Sequence, residues 1–326
     1  MSPAAVLAAV GAALPPHTVS NDDLAARMDT SDEWIRSRTG ITSRHVAGID
    51  QSTADLAVQA AAQALNGSYS PGVDALVVAT TTPDRCCPAT APTVAARLGL
   101  TGVPAHDVAA GCTGFLYALA TAAGLIAAGT AETVLVIGAD RLASLPRPDD
   151  RTTVPLFGDG AGAVLLRRGD ADEAGALAPI VLGSDGTCAD LIAAACPGTL
   201  HMGGADVFRH AVERMSTASR RAATAAGWDL AAVDRLVPHQ ANSRITSFVA
   251  RRLGVPDARR LSNVAHVGNT GGASIPLLLT QAHADGRLQS GHRTLLTAFG
   301  AGLPWGAVAL TWPDLTHPTE GAGHDR

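Results

Sequence analysis

Residues 106–119 read His-Asp-Val-Ala-Ala-Gly-Cys-Thr-Gly-Phe-Leu-Tyr-Ala-Leu: a short apolar strand, a tight glycine turn and the opening of a long apolar helix. That order puts Cys112 at a helix start, where unpaired N–H groups and the helix dipole favour a thiolate and could hold an oxyanion. The same sulfur also suits a plain structural role, as a small buried hydrophobe at the head of a core helix. Residues 108–131 carry no charge and are long enough to cross a bilayer, which takes about 20 residues. Gly111, Thr113 and Gly114 interrupt the run, no basic residues flank it and a strand precedes it, so a buried central helix is the better reading.

Outward from this segment, strand-like residues 74–80, 105–109, 133–139 and 162–166 alternate with helical residues 53–65, 93–98 and 113–128. Alternation of this kind predicts an α/β layer structure with crossover helices. A charged, glycine-bearing stretch at 167–175 precedes a second series: strand 180–182, helix 207–225, strand 236–237, helices 242–253 and 273–284, and strands 294–299 and 307–311. Two similar halves are expected, residues 1–170 and 171–312, followed by a frayed tail at 313–326 that has lost apolar periodicity. No short-period repeat is present, which excludes a solenoid or propeller.

Composition narrows the function. The 326 residues are 47% hydrophobic and 16% charged, enough for a large core. A net charge of -5 argues against a general nucleic-acid binder, which needs a basic excess. All 24 basic residues are arginine, so lysine Schiff bases, pyridoxal phosphate linkages and Walker-type phosphate lysines are excluded. Five cysteines (Cys86, Cys87, Cys112, Cys188 and Cys196) in a long chain without a secretory signal argue against a disulfide framework. The alanine-rich opening lacks a basic residue before Arg27 and reads as a buried strand, so a cytoplasmic location is expected.

A partner for a nucleophilic cysteine should be far away in sequence and near in space. Leu236-Val-Pro-His-Gln-Ala-Asn242 sets His239 between a strand and a helix, and His266-Val-Gly-Asn-Thr-Gly-Gly-Ala-Ser274 sets Asn269 in a glycine-rich turn that opens another helix. Alone, His239 suits a hydrogen-bonded structural histidine and Asn269 a helix cap. Phe157-Gly-Asp-Gly-Ala-Gly162 superficially suggests a phosphate loop, but it leads into a strand rather than a helix, so close backbone packing accounts for it better.

Taken together with Thr30-Ser-Asp-Glu-Trp-Ile-Arg-Ser-Arg-Thr-Gly-Ile41, Gly268-Asn-Thr270 and Phe299-Gly-Ala-Gly302, these motifs make residues 4–312 resemble β-ketoacyl-acyl-carrier-protein synthase III. The resemblance implies a thiolase-like five-layered α/β/α/β/α fold from two similar halves, usually a homodimer, with a Cys112, His239 and Asn269 triad. By the same resemblance Cys112 is acylated from an acyl-CoA, and His239 and Asn269 support decarboxylation of a malonyl-acyl carrier protein. The backbone N–H groups of Cys112 and Ala301 would hold the oxyanion. Trp34, Arg38, Arg151 and Asn242 would bind coenzyme A; Cys87, Phe157 and Phe299 would line the acyl pocket; Arg209, Arg244, Arg251 and Arg252 would dock an acidic carrier protein. No metal, redox cofactor, nucleic acid or membrane is implied. Related elongating ketosynthases carry a second histidine and thiolases a late second cysteine, and Asn269 fits neither, while longer plant-type polyketide synthases share the triad. Two departures bear on substrate: Cys87 stands where the family often has a bulky aromatic reaching across the dimer, and residues 187–200 are short and apolar. Both suggest a primer larger than acetyl, for fatty acid or polyketide synthesis. The alternatives are transfer of the acyl group from Cys112 to an alcohol or amine, and a non-catalytic partner subunit.

Overall fold

Strands that are apolar on both faces must be covered on both faces, and in this chain the helices that do so stack with two sheets into five layers. The structure, a computed structural model, describes residues 3–66, 72–194 and 200–315. The first sheet has the order β1-β7-β6-β4-β5, from β1 (Ala4–Ala13), β4 (Ala75–Ala79), β5 (Ala105–Val108), β6 (Thr133–Arg141) and β7 (Asp159–Gly169). Strand β4 runs parallel to β5 and β6, whereas β7 is antiparallel to both β6 and β1. The second sheet, β11-β12-β13-β8, is built from β8 (Val181–Gly183), β11 (Arg235–Pro238), β12 (Arg293–Phe299) and β13 (Trp305–Thr311). Two small ribbons complete the strands: β2 (Thr18–Ser20) with β3 (Ser43–His45), and β9 (Ile192–Ala194) with β10 (Leu200–Met202).

Three apolar interfaces hold the layers. Between the sheets lie α5 (Gly114–Ala127) and α9 (Ser274–Ala284), whose Phe115, Leu119, Leu278 and Ala282 meet Val77 and Val136 of one sheet and Leu296 and Val308 of the other. Helices α3 (Thr53–Leu65) and α4 (Thr90–Arg97) cover the outer face of the first sheet. The second sheet is covered by α6 (Gly204–Ala225) and α7 (Ser243–Leu253). Short helices α1 (Asn21–Ala25) and α2 (Asp32–Thr39) flank the β2–β3 ribbon, and α8 (Val264–Val267) leads into Asn269. This is the α/β/α/β/α arrangement that the resemblance implied. Among the described residues no helix is long and apolar enough to cross a membrane; α5 itself has 14 residues.

The first residues of the expected tail are held against the fold. Trp312 is fully buried, its indole N–H donates to His283 Nδ1 (3.4 Å), and His283 Nε2 donates to the carbonyl of Leu315 (3.1 Å). Residues 313–315 are therefore tied to α9, and 316–326 lie outside the described residues.

Candidate active site

Cys112 lies in a single 3-10 turn, Gly111–Thr113, between β5 and α5. Across from it is the turn that joins β12 to β13, where Gly300 N–H and the Thr113 hydroxyl both donate to the carbonyl of Pro304, each at 3.0 Å. The two turns approach so closely that a Cβ on Gly300 would stand 2.7 Å from the Cys112 nitrogen, and one on Gly111 would stand 2.8 Å from the Ala301 nitrogen. Glycine at both positions thus brings the N–H groups of Cys112 and Ala301 into one neighbourhood. Among the described residues Ala301 N–H has no protein acceptor.

The expected acidic thiol is not what these surroundings produce. Burial pushes the Cys112 thiol up to about 12; the nearby Asp140 carboxylate adds to this, and a contact with the residue's own N–H opposes it. Desolvation and a like charge outweigh a one-turn helix start.

His239 follows β11 and is 2% exposed, its N–H donating to the Thr297 carbonyl at 2.8 Å. Burial pushes the imidazole down to about 3, so the ring is neutral at neutral pH. Its Nδ1 is buried without a hydrogen-bond partner. A buried unpaired N–H is less tolerable than an unpaired lone pair, which favours the proton on Nε2. The next residue, Gln240, is fully buried and pins this strand end to the start of α9, its N–H donating to Ser274 Oγ at 2.7 Å.

Asn269 is held by the backbone of the 155–158 segment: its N–H donates to the Leu156 carbonyl (2.8 Å) and its carbonyl accepts from Gly158 N–H (3.0 Å). Its side-chain oxygen accepts from Gly271 N–H at 3.0 Å, so the amide NH2 is the end left for a ligand. Behind that segment sits Arg44, 1% exposed, donating to the carbonyls of Val19 (3.0 Å) and Pro155 (2.9 Å) and to Asn21 Oδ1 (2.8 Å).

Cys112, His239 and Asn269 all line one cavity of about 150 Å³. Its other walls are mostly apolar, with Phe157, Phe299, Ile192 and Met202 joined by the inward stripe of α6, Val207, Phe208, Ala211 and Met215. Cys87 is not among them. It is exposed on the loop ahead of α4, because Asp84 accepts from the N–H groups of Thr53 (2.7 Å) and Ala54 (3.1 Å) and draws that loop outward onto α3. Within one chain it is no wall of the pocket. Of the apolar segment 187–200, residues 195–199 and with them Cys196 lie outside the described residues.

Trp34, Arg38 and Arg151 form a single cluster. The guanidinium carbons of Arg38 and Arg151 lie over the indole at 4.5 and 4.9 Å from its centroid, and Arg151 pairs with Asp29 at 2.5 Å. Asn242 joins this cluster to the cavity: it lines the cavity, caps α7 by accepting from Arg244 N–H (2.8 Å), and donates to the Arg38 carbonyl (3.2 Å). Arg209, Arg244, Arg251 and Arg252 are all exposed. Around them are aromatic contacts that the sequence reading did not anticipate: Phe248 is 43% exposed, stacks edge-on with Phe208 (5.2 Å) and lies 4.1 Å beneath Arg251. The sequence reading also passed over Arg44, Asp140 and the α6 stripe. The visible signal for Asp140 was a carboxylate at the end of an otherwise apolar strand.

Comparison with known proteins shows the family of the chain. The family profile of 3-oxoacyl-[acyl-carrier-protein (ACP)] synthase III matches residues 106–186, and that of its C-terminal part matches residues 223–312. The chain is 55% identical to β-ketoacyl-[acyl-carrier-protein] synthase III 3 of Streptomyces coelicolor, over 96% of this chain and 98% of that protein. The solved 3-oxoacyl-(acyl carrier protein) synthase III of Pseudomonas aeruginosa superimposes with a TM-score of 0.93 at 50% identity, covering 96% of this chain and 99% of that one. A priming β-ketosynthase from a polyketide biosynthetic pathway superimposes at 0.91 with 33% identity, covering 96% and 97%. The fold is that of a thiolase-fold condensing enzyme. Within that class, the chain belongs to the 3-oxoacyl-[acyl-carrier-protein] synthase III family.

Proposed function

We propose that this protein primes chain synthesis by a decarboxylating condensation: an acyl group from an acyl-CoA is joined to a malonyl-acyl carrier protein, giving a β-ketoacyl thioester. The observation that carries the reading is the meeting of Cys112, His239 and the Asn269 amide in one largely apolar cavity. Cys112 sulfur attacks the acyl-CoA carbonyl, the C–S bond to coenzyme A breaks and the thiol proton leaves on the CoA sulfur. Malonyl thioester then takes the same opening. Its carbonyl oxygen accepts from His239 Nε2–H and Asn269 NH2, which stabilise the enolate formed as the carboxylate leaves as carbon dioxide. The enolate carbon attacks acyl-Cys112, whose oxyanion is held by the N–H groups of Cys112 and Ala301; the carbon–sulfur bond to Cys112 then breaks, the new carbon–carbon bond is kept, and the departing thiolate takes a proton from solvent. A neutral His239 suits this task, since a hydrogen-bond donor is needed there and not a fixed charge. The chemistry needs no metal or redox cofactor, because loss of carbon dioxide drives it.

Trp34, Arg38, Arg151 and Asn242 lead from the surface into the cavity and are assigned to coenzyme A, with guanidinium groups for phosphate and an indole for the base. Phe157 and Phe299 line the acyl site. The exposed Arg209, Arg244, Arg251 and Arg252 suit an acidic carrier protein. Strand β5 is a sheet edge, which suits a homodimer formed by edge pairing, and an exposed Cys87 could then approach a partner's pocket. The cytoplasm, where CoA and carrier-protein thioesters are used, is the expected location. A primer larger than acetyl fits the apolar lining. Intact-mass measurement after exposure to a panel of acyl-CoAs tests the reading: one acyl adduct per chain is expected on the wild type and none on Cys112→Ser. Carbon dioxide release from malonyl carrier protein separates condensation from acyl transfer to an alcohol or amine, which would release none.

A further inference from the structure

Asp140 is the penultimate residue of β6, and its carboxylate is fully buried. One oxygen accepts from Thr81 N–H (2.7 Å), Thr81 Oγ1 (2.8 Å), Thr80 Oγ1 (3.2 Å) and Thr82 Oγ1 (3.2 Å), all beyond the end of β4. The other accepts from Gly272 N–H at 2.7 Å. Gly272 belongs to the turn that opens α9 and directly follows Gly271, whose N–H Asn269 Oδ1 engages, so the carboxylate grips the same three-residue turn that orients the Asn269 amide. The fit leaves no slack: Gly271 has a left-handed φ of 59°, and a Cβ there would fall 2.3 Å from Asp140 Oδ2. Five donors converge on two oxygens, an arrangement only an acceptor-only group satisfies in full.

We infer that Asp140 is a positioning residue for the decarboxylating half of the reaction, fixing the Asn269 amide by anchoring the Gly271–Ala273 turn to the end of β4. The inference rests on the function proposed above and deepens it. Asp140 touches no substrate: it does not line the cavity, and it acts through Gly272 and Asn269. Cys112 is held by other means, the turn Gly111–Thr113 and the Pro304 carbonyl, so the two half-reactions depend on Asp140 unequally. The carboxylate earns no place as a proton donor or base, since all its contacts are with donors behind the cavity wall.

The split is measurable. In Asp140→Asn the amide oxygen goes to the four donors of Thr80, Thr81 and Thr82, the NH2 faces Gly272 N–H, donor against donor, and the Gly271–Ala273 turn loses its anchor. Acylation of Cys112 by acetyl-CoA is followed by intact mass, and carbon dioxide release from malonyl-loaded acyl carrier protein is followed in parallel on the same preparations. The expected result is a fall of about 100-fold in carbon dioxide release, the scale of losing one oxyanion donor, with acylation slowed by no more than about threefold. Thr81→Val removes one hydroxyl donor while keeping the Thr81-position N–H; it should show the same split at about fivefold and decides the matter where Asp140→Asn does not fold. Equal loss in both half-reactions, or loss in neither, overturns the inference. A wild type that acylates but releases no carbon dioxide instead overturns the proposed function, so the two failures are told apart.

Discussion

Replacing Gly300 by alanine tests the oxyanion geometry directly. The added Cβ would lie 2.7 Å from the Cys112 nitrogen and 3.0 Å from the Thr113 nitrogen, where unstrained contact needs about 3.5 Å. Gly300 is not among the residues with positive φ, so backbone strain plays no part and the perturbation is one of space. The turns must part by roughly 0.8 Å at the tightest point, the difference between contact and clash. Oxyanion donors act at about 2.7–3.1 Å, so a separation of this size weakens one of the two, which is worth about 2.7–4 kcal/mol or a 10²–10³-fold slower acylation. Overpacking also costs about 1–3 kcal/mol of stability. Rapid-quench acylation by acetyl-CoA, read by intact mass, gives the rate, and urea unfolding gives the stability. Gly99→Ala is the control: Gly99 has φ 73° but nothing within 4 Å of a new Cβ, so it should lose stability and keep its acylation rate. If Gly300→Ala acylates within about threefold of the wild type while remaining folded, the two N–H groups do not act as a pair.

Four further outcomes are expected. His239 stays neutral in the fold down to about pH 3, whereas an unfolded histidine protonates near 6.5. As pH falls below 6.5 the unfolded chain alone gains this proton, and stability drops by about 1.4 kcal/mol per unit. Urea unfolding at pH 7 and pH 5 should therefore show the wild type losing about 2 kcal/mol more than His239→Asn, and equal losses would contradict the buried neutral ring. The Cys112 thiol, pushed up to about 12, should react with iodoacetamide at a rate still rising above pH 9, as peptide mapping would report against the exposed Cys86 and Cys87. Asp140→Asn removes the neighbouring negative charge and should move that profile to lower pH; an unmoved profile would show that the carboxylate does not reach the sulfur. Trp34→Ala should raise KM for acetyl-CoA by roughly tenfold with kcat little changed, on the scale of a cation–π or stacking contact; a fall in kcat alone would remove Trp34 from the CoA path.

Local pattern carried most of the fold. Helix α3 was readable to its ends because Ser52 and Asp55 form a capping box within four residues, and each accepts the other's N–H. Helix α4 was not: it begins at Thr90 and not at 93, because the N–H groups of Thr90 and Ala91 are received by Asp107 at 2.7 Å each, from a strand that no local window includes. The ribbon β9–β10 was missed for its three-residue strands, too short for alternation to register. At the site, Cys112, His239 and Asn269 stood out through their motifs, whereas the acidic thiol expected from the helix start did not hold, since burial and, after it, the Asp140 charge from another strand raise it. Cys87 lies away from the cavity of its own chain because its loop is steered by Asp84 and not by the residues beside the cysteine.

The Trp34 cluster has a kinetic consequence for the coenzyme A role proposed for it. With two guanidinium groups already over Trp34, and one of them ion-paired to Asp29, a nucleobase that stacks on this indole displaces contacts instead of adding to bare surface. Affinity is then the difference between two similar interactions, and the spent carrier is held weakly. For a site that must discharge one thioester carrier before admitting another through the same opening, such self-competition favours turnover over tight retention.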